Sequence, residues 1–467
     1  MRALGGVNVP FLAGMFTVIA FAAWGLRAAC SPSGRARTSV VAACAALLVQ
    51  TAIFARFTTD DAFITFRYSR NWARGLGPVF QPGERVEGYT SFLHMGLLAL
   101  AHRFGIDIEI ASKVVGILSS LAAVVGVSVL VGRLGGGDRA AKLAPILLSL
   151  IPLNAAWRWH YFGAFFPNTF YAKTSLSLGR AVGGVVSVSN FFAEIGLVHL
   201  LLFVLGASTL PTGGVGFRFV LAAVASFLAY AVVVGGDLLA LRFYVHILPL
   251  WTACVAIGLD RALRAVDGSS PGRSPARAWA VALAIAVPWV FCAYKEYGSA
   301  FEPEPHNNSG ASTTVDVSTH IRTAHEPLGE WLRLHAPRQC RVAITDIGII
   351  AYRCDLPTID LWGLTDRRIA RLIHAKADAH AYAADLRARK PELFVLYGSS
   401  KGATLGVLED NRQWFNEFYR PHSFWPDSRF DKGLVLLVRK DVEVPPVSPP
   451  GLALHSIARP PGAASIF

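Results

Sequence analysis

Eight apolar runs, each near the roughly 20 residues needed to cross the hydrocarbon of a bilayer, are spaced through the first 294 residues, with cores at 9–26, 40–54, 111–131, 143–156, 191–210, 219–234, 243–257 and 278–294. Each run must be covered on every side by lipid or by other apolar segments, which leaves few soluble solutions. Composition points the same way: 53% of residues are apolar and 16% charged, against about 25% charged in soluble domains. The expected fold class is a polytopic α-helical membrane protein of about eight spans with a small C-terminal soluble α/β domain. The second, fourth, sixth and seventh runs are short and must recruit flanking Trp, Tyr and Arg at the interface. A ninth stretch, 91–104, is interrupted by His94 and His102 and reads as a half-helix that lies at the interface or re-enters.

The net charge of +13 acquires meaning from its placement. Cations fall in alternate connections: Arg27, Arg35 and Arg37, then Arg133, Arg139 and Lys142, then Arg218, then Arg261, Arg264, Arg273 and Arg277. The positive-inside rule makes these loops cytoplasmic. The opposite side receives 56–110, 159–190, 235–242 and everything after Lys295. Arg67, Arg70, Arg74, Arg85 and Arg103 sit on that side against the rule and are read as site residues. Arg2 before an apolar run, with Ala28, Ala29 and Cys30 after it, resembles a signal peptide, but Arg27 at the end of the run argues against one.

Three regions follow. Residues 1–296 form a membrane catalytic domain that includes the first outer loop, 56–110; residues 297–440 form an extracytoplasmic α/β domain; 441–467 is a Pro-rich disordered tail. In the second region, apolar runs 341–344, 392–397 and 433–438 read as strands and 366–377 as a helix. Cys340 and Cys354 bracket a strand and turn there, and a disulfide and two free thiols are both open.

The strongest local feature is 58–93. Asp60 and Asp61 follow a span directly, and a helix from that point puts Asp60, Arg67, Asn71 and Arg74 on one face, with Ile64, Tyr68 and Trp72 as a neighbouring apolar stripe. Thr59 or Asp60 as a helix cap explains one polar residue. It does not explain an acid pair followed by Arg67, Glu84, Arg85, Glu87 and Tyr89. A second cluster, 159–173, offers His160, Asn168, Thr169 and Lys173; by itself it reads equally as a cap and a snorkelling lysine. A third has Asp237 and Arg242 in a hairpin, as an ion pair or, with the neighbouring glycines, as a phosphate cradle. All three fall on the outer side.

The run Asp60-Asp61-Ala-Phe-Ile-Thr-Phe-Arg67-Tyr68, continuing through Asn71, Gly75, Gly77, Pro82-Gly-Glu84-Arg85-Val-Glu87-Gly88-Tyr89-Thr90-Ser91, resembles the terminal β-arabinofuranosyltransferase family of mycobacterial cell walls, which are GT-C membrane glycosyltransferases. Pro167-Asn168-Thr169 with Lys173, Gly235-Gly236-Asp237 with Arg242, and Ile359-Asp360-Leu-Trp-Gly363-Leu-Thr-Asp366 are similar to later blocks. The resemblance implies a GT-C fold, a polyprenyl-phosphate sugar donor, an inverting transfer and a general base at Asp60 or Asp61.

The chemistry fits that expectation. Inverting transfer from a lipid-linked sugar needs one base for the incoming hydroxyl and cations for the departing phosphate. Asp60 is the first choice as base; Asp61 orients the acceptor, tunes its neighbour or helps hold a divalent ion. Arg67, Lys173 and Arg242 are the candidates for the donor phosphate, and Glu87, Tyr89, His160, Asn168, Thr169 and Asp237 for substrate contacts. No cofactor is called for by the residues, a divalent cation is compatible with them, and no metal site is assigned. Trp362 and Tyr352 are candidate stacking surfaces for a sugar, while Asp346, Asp360 and Asp366 read as turn and cap residues. The expected partners are the lipid-linked donor, a glycan or glycoconjugate acceptor and membrane lipid, at the cell membrane with the site extracytoplasmic. A flippase of lipid-linked saccharides is the main rival, but it predicts charge within the spans and inverted repeats, which the runs lack. A non-catalytic assembly or sensor protein leaves the paired acids unexplained. Nucleic acid is excluded as a partner, because most basic residues lie in short loops separated by apolar runs.

Overall fold

The computed structural model describes residues 17, 20, 24, 36–53, 58–133, 178–209, 215–235, 244, 247–268, 321–375, 379–399, 402–403, 412–426, 433–447 and 452–453. The expected spans at 143–156 and 278–294, and most of 9–26, lie outside these residues. The chain divides into two compact units, one built from 1–57, 113–153 and 176–314, the other from 58–112, 154–175 and 315–467.

In the first unit the described helices are α1 (Ala36–Ile53), the greater part of α4 (Ile108–Arg133), α5 (Leu178–Ile195), α6 (Leu197–Thr209), α7 (Val215–Val234) and α8 (Leu248–Gly268). Among the described residues, Ile108–Gly126 is long and apolar enough to cross a membrane, with mean hydropathy 1.8. The run expected as one span at 191–210 is instead broken: helices stop and restart around Gly196, and Ala181–Ala193 meets Leu197–Ser208 at 90°. If that bent pair is one span, the count is two. Helices α6 and α8 cross backbone to backbone. A Cβ on Gly206 would lie 1.8 Å from the Cys254 carbonyl oxygen, and one on Gly258 2.0 Å from that of Leu202. Small residues permit that approach and the dispersion contacts that go with it. Beside the crossing, Phe203 stacks on Trp251 at 4.0 Å and Phe191 on Tyr244 at 4.3 Å.

The second unit begins with a helical hairpin, α2 (Asp60–Ala73) and α3 (Phe92–Arg103). Ser69 donates its hydroxyl to the Met95 carbonyl at 2.9 Å, and the Trp72 and Phe92 rings meet at 5.7 Å. The helix expected at 91–104 is therefore present. Its Met95, Leu98 and Ala99 are buried, whereas Leu93, Leu97, Leu100 and Phe104 are exposed.

The rest of this unit is an α/β fold. A π-turn (Ile321–His325) leads into α9 (Glu326–His335), then β1 (Val342–Ile344), α10 (Ile349–Cys354), β2 (Thr358–Asp360), α11 (Arg367–His374), α12 (Ala379–Arg389), β3 (Leu393–Ser399), β4 (Gly402–Ala403), α13 (Arg412–Phe418), β5 (Tyr419–Pro426), β6 (Gly433–Arg439) and β7 (Leu452–Ala453). The sheet order is β2-β1-β3-β6-β5-β7, with β4 on β3. β1 pairs in parallel with β2 and β3, and the remaining pairs are antiparallel. Strands β1, β3 and β6 are the three short apolar runs. Being covered on both faces, they read as unbroken hydrophobic stretches rather than alternating ones.

Two expectations are corrected here. The outer loop assigned with residues 1–296 packs instead with the C-terminal fold: Phe63, Tyr68, Phe80 and Tyr89 share one core cluster with Leu328, Ile350 and Val395. The tail assigned as disordered from 441 is ordered where it is described. Val442, Val444 and Val447 pack on that core, the ring of His422 bonds the Pro445 carbonyl at 2.9 Å, and β7 adds a strand beside β5. Apolar residues alternating with Pro gave that segment something to bury. Cys340 and Cys354 are both buried free thiols.

Candidate active site

Helix α2 begins with two acids in its first turn, where the helix dipole favours negative charge. Thr59 is the N-cap residue but makes no side-chain capping bond. The Asp60 carboxylate does not cap its own helix either. Its Oδ2 accepts the backbone N–H of Gly348 at 2.9 Å and its Oδ1 that of Ile349 at 2.7 Å, where the opening N–H groups of α10 lack partners within the helix. Position 348 tolerates only glycine, since a Cβ there would lie 2.1 Å from the Asp60 carbonyl oxygen and 2.4 Å from Oδ2.

Just past the end of β1 stands Asp346. Its Oδ2 pairs with Nε2 of His325 at 2.6 Å and accepts the hydroxyl of Tyr397, on the neighbouring strand β3. His325 is buried, while Tyr397 reaches the surface. Burial, and after it the charge of Asp346, pushes the Asp60 carboxyl up to about 7; His325 and the two backbone N–H groups act in the opposite direction. Burial and the same acid push the Tyr397 phenol well up. A carboxylate has about four lone-pair positions. The two N–H groups take two of them, so Asp60 retains capacity for an incoming O–H. The arrangement can accept a proton near neutral pH from a hydroxyl that reaches the partly exposed Asp60.

Arg67, Arg70 and Arg74, singled out in the first loop, bind the loop to the C-terminal fold. Arg67 is 2% exposed, and its guanidinium donates to the carbonyls of Phe80 at 3.0 Å, Ala351 at 2.6 Å and Leu356 at 2.9 Å. Burial pushes its pKa down to about 10, so it remains a cation at neutral pH. Buried in this way, it is left out of the anion-binding set that the sequence suggested. Arg70 donates to the Tyr352 carbonyl at 2.8 Å and pairs with Asp355 at 2.7 Å, which Arg74 also reaches at 3.0 Å. Burial would raise the Asp355 carboxyl, but Arg70 and Arg74 outweigh it and hold it low. Asn71 donates to the carbonyls of Val79 and Phe80. The Gln81 amide bonds both the N–H and the C=O of Thr358 at 2.7 Å, completing the free edge of β2 as a peptide would.

Glu87 and Tyr89, expected to contact substrate, are core residues at 2% and 1% exposure, with the Tyr89 ring packed edge-on against Tyr68 at 4.9 Å. Tyr352, a candidate sugar platform, has its ring under the Arg70 guanidinium at 4.4 Å; Trp362 remains exposed. Asp61 is exposed next to Asp60. His160, Asn168, Thr169, Lys173, Asp237 and Arg242 lie outside the described residues.

Turn and cap chemistry accounts for two of the three acids to which it was assigned. Asp360 closes a turn by accepting the N–H groups of Trp362, Gly363 and Thr365, and burial pushes it up to about 6. Asp366 caps α11 through Arg368 and Ile369 and pairs with Arg389 at 2.6 Å. Asp346 departs from the pattern in that side chains from two other elements meet it. The available signal was its position, an acid at the C-terminal end of a parallel strand before a Gly and a helix, where α/β sheets place their chemistry. Nothing local marked His325. Among the described residues, no group of three or more His, Cys, Asp or Glu is arranged to hold a metal ion.

Residues 316–444 match a protein family described as a domain of unknown function (DUF8728). The match covers the C-terminal fold, including His325, Asp346 and Tyr397, but stops short of the loop that carries Asp60. No curated protein and no solved structure matches the chain.

Proposed function

We propose that this chain is a membrane glycosyltransferase of the GT-C type that moves a sugar, with inversion, from a polyprenyl-phosphate donor to an extracytoplasmic glycan or glycoconjugate acceptor, with Asp60 as general base. The observation that carries the reading is the setting of Asp60: a carboxylate held in place by Gly348 and Ile349 and pushed up to about 7 by burial and Asp346. A base poised near the working pH is what hydroxyl activation requires. As the acceptor oxygen bonds the anomeric carbon, its proton passes to Asp60. The bond from that carbon to the phosphate oxygen breaks, and the electron pair leaves with the phosphate. Lys173 and Arg242 are assigned the departing charge; Arg67 holds the loop that carries the base. Arabinofuranose, the sugar implied by the resemblance, is the first to test.

The test is transfer by the purified full chain in detergent, with a panel of radiolabelled polyprenyl-phosphate sugars and the variants Asp60→Asn and Asp61→Asn. Loss of a general base lowers turnover by about 10²–10⁴-fold, and that loss is expected for Asp60→Asn. Wild-type turnover in Asp60→Asn rejects the assigned base. Movement of lipid-linked sugar across vesicles without release of the sugar favours a flippase.

A further inference from the structure

We propose that Asp346, fixed by His325 and Tyr397, is a positioning residue for Asp60, so that the C-terminal fold supplies part of the proton-handling centre rather than acceptor contacts alone. This rests on the reading of Asp60 as general base.

The two acids converge on one short turn. Asp60 is bound to the N–H groups of residues 348 and 349, and Asp346 lies two residues before the first of them. Asp346 is met by two side chains that reach in from separate elements, His325 from the π-turn and Tyr397 from β3. Two side chains directed at one oxygen fix the Asp346 carboxyl in place, and a negative charge next to a second carboxyl opposes ionisation of that carboxyl. The two carboxyls then titrate as a coupled pair near neutrality.

The other charged groups packed around the site have partners of their own. Glu326 pairs with Arg353, and Glu109 accepts the Thr58 hydroxyl at 2.6 Å. Asp61 lies on the same helix as Asp60 but is exposed. Asp346 and His325 are therefore the side-chain charges that act on Asp60: Asp346 opposes its ionisation, while His325 and the N–H groups of 348 and 349 favour it.

The experiment follows the full chain in detergent across pH 4–9 by two readouts, the thermal unfolding midpoint and the rate of sugar transfer, in wild type, Asp60→Asn, Asp346→Asn and Tyr397→Phe. The expected wild-type result is an inflection near neutral pH in both readouts, with the midpoint inflection lost in Asp60→Asn. Asp346→Asn moves it toward acid by about one pH unit. Tyr397→Phe, which keeps the fold's packing and removes one donor, moves it the same way by less. An inflection that stays in place in both Asp346→Asn and Tyr397→Phe overturns the inference; if Asp346→Asn does not fold, Tyr397→Phe alone decides. A midpoint inflection that moves as described while no variant transfers any sugar sustains the coupling of the two acids and removes the glycosyltransferase reading.

Discussion

Arg67 donates to the carbonyl oxygen of Leu356 at 2.9 Å, a bond that joins residues 289 positions apart in the chain. With its bonds to Ala351 and Phe80 it makes one buried guanidinium the common partner of the first loop and of the turn after α10. Arg67→Ala would take the donor from the Leu356 carbonyl and one donor each from the Phe80 and Ala351 carbonyls, which keep the Asn71 amide and the Asp355 N–H; a hydrogen bond to a charged group contributes about 1.5–3 kcal/mol. The expected loss in chemical denaturation is about 3–5 kcal/mol, with Arg67→Lys intermediate because an ammonium cannot reproduce the planar fork. A loss below about 1 kcal/mol for Arg67→Ala would be incompatible with a strap at this position.

Gly348→Ala tests the contact that fixes the base. The added Cβ would overlap the Asp60 carboxyl and its backbone carbonyl, and forced overpacking of this kind costs about 1–3 kcal/mol. Transfer activity should fall by more than stability does, because the methyl displaces Asp60 directly. Unfolding curves and turnover measured on the same preparation separate the two effects, and unchanged turnover would rule out a fixed carboxylate.

Both Asp360 and Asp60 are pushed above the ordinary carboxylate value, to about 6 and about 7. The folded state therefore holds the protonated form more tightly than the unfolded chain does. The stability this contributes is fully present below about pH 4 and is lost as pH rises through 6 and then 7. A thermal midpoint that declines across that window is expected. Asp360→Asn should flatten its lower part and Asp60→Asn its upper part. A midpoint that climbs between pH 4 and 7, by the same amount in all three proteins, contradicts the sign.

Cys340 and Cys354 are buried thiols, and burial pushes the Cys340 thiol up to about 11 and raises that of Cys354. Alkylation depends on the thiolate and on access. Mass spectrometry should find both residues unlabelled in the native chain and fully labelled in denaturant. A reductant should leave the thermal midpoint unchanged, and a drop with reductant would indicate a disulfide.

Leu93, Leu97, Leu100 and Phe104 recur at intervals of four, three and four residues, so they share one exposed face of α3, the opposite side of which is packed. In the membrane reading that face meets lipid. A nitroxide at position 97 of the full chain in lipid discs should collide more readily with oxygen than with a water-soluble nickel chelate. The reverse preference would place the face in water.

The helix at 60–73 was legible in the sequence, and so were the acid at its start, strands β1, β3 and β6, and the cap at Asp366, because each rests on local periodicity or on short-range hydrogen bonding. What Arg67, Asn71, Glu87 and Tyr89 do was not. A polar residue on an amphipathic face looks the same whether its partner is solvent, a phosphate or a carbonyl from a distant segment. Here the carbonyls of Ala351 and Leu356 take Arg67, and the neighbouring stripe of Ile64 and Tyr68 is buried as well, so the face expected to be polar and open is enclosed. Asp346 escaped notice because the residues that distinguish it from a turn acid, His325 and Tyr397, are brought to it by the sheet.

The union of loop 58–112 with the chain from 315 onward sets a timetable for biosynthesis. The ribosome must add about two hundred residues after the loop emerges before its partner exists, a delay on the order of 10–40 s at roughly 5–20 residues per second. During that interval the Arg67 guanidinium has the Phe80 carbonyl alone of its three acceptors, and α2 has α3 as its packing partner without the C-terminal fold, so the loop completes its core when the last third of the polypeptide arrives.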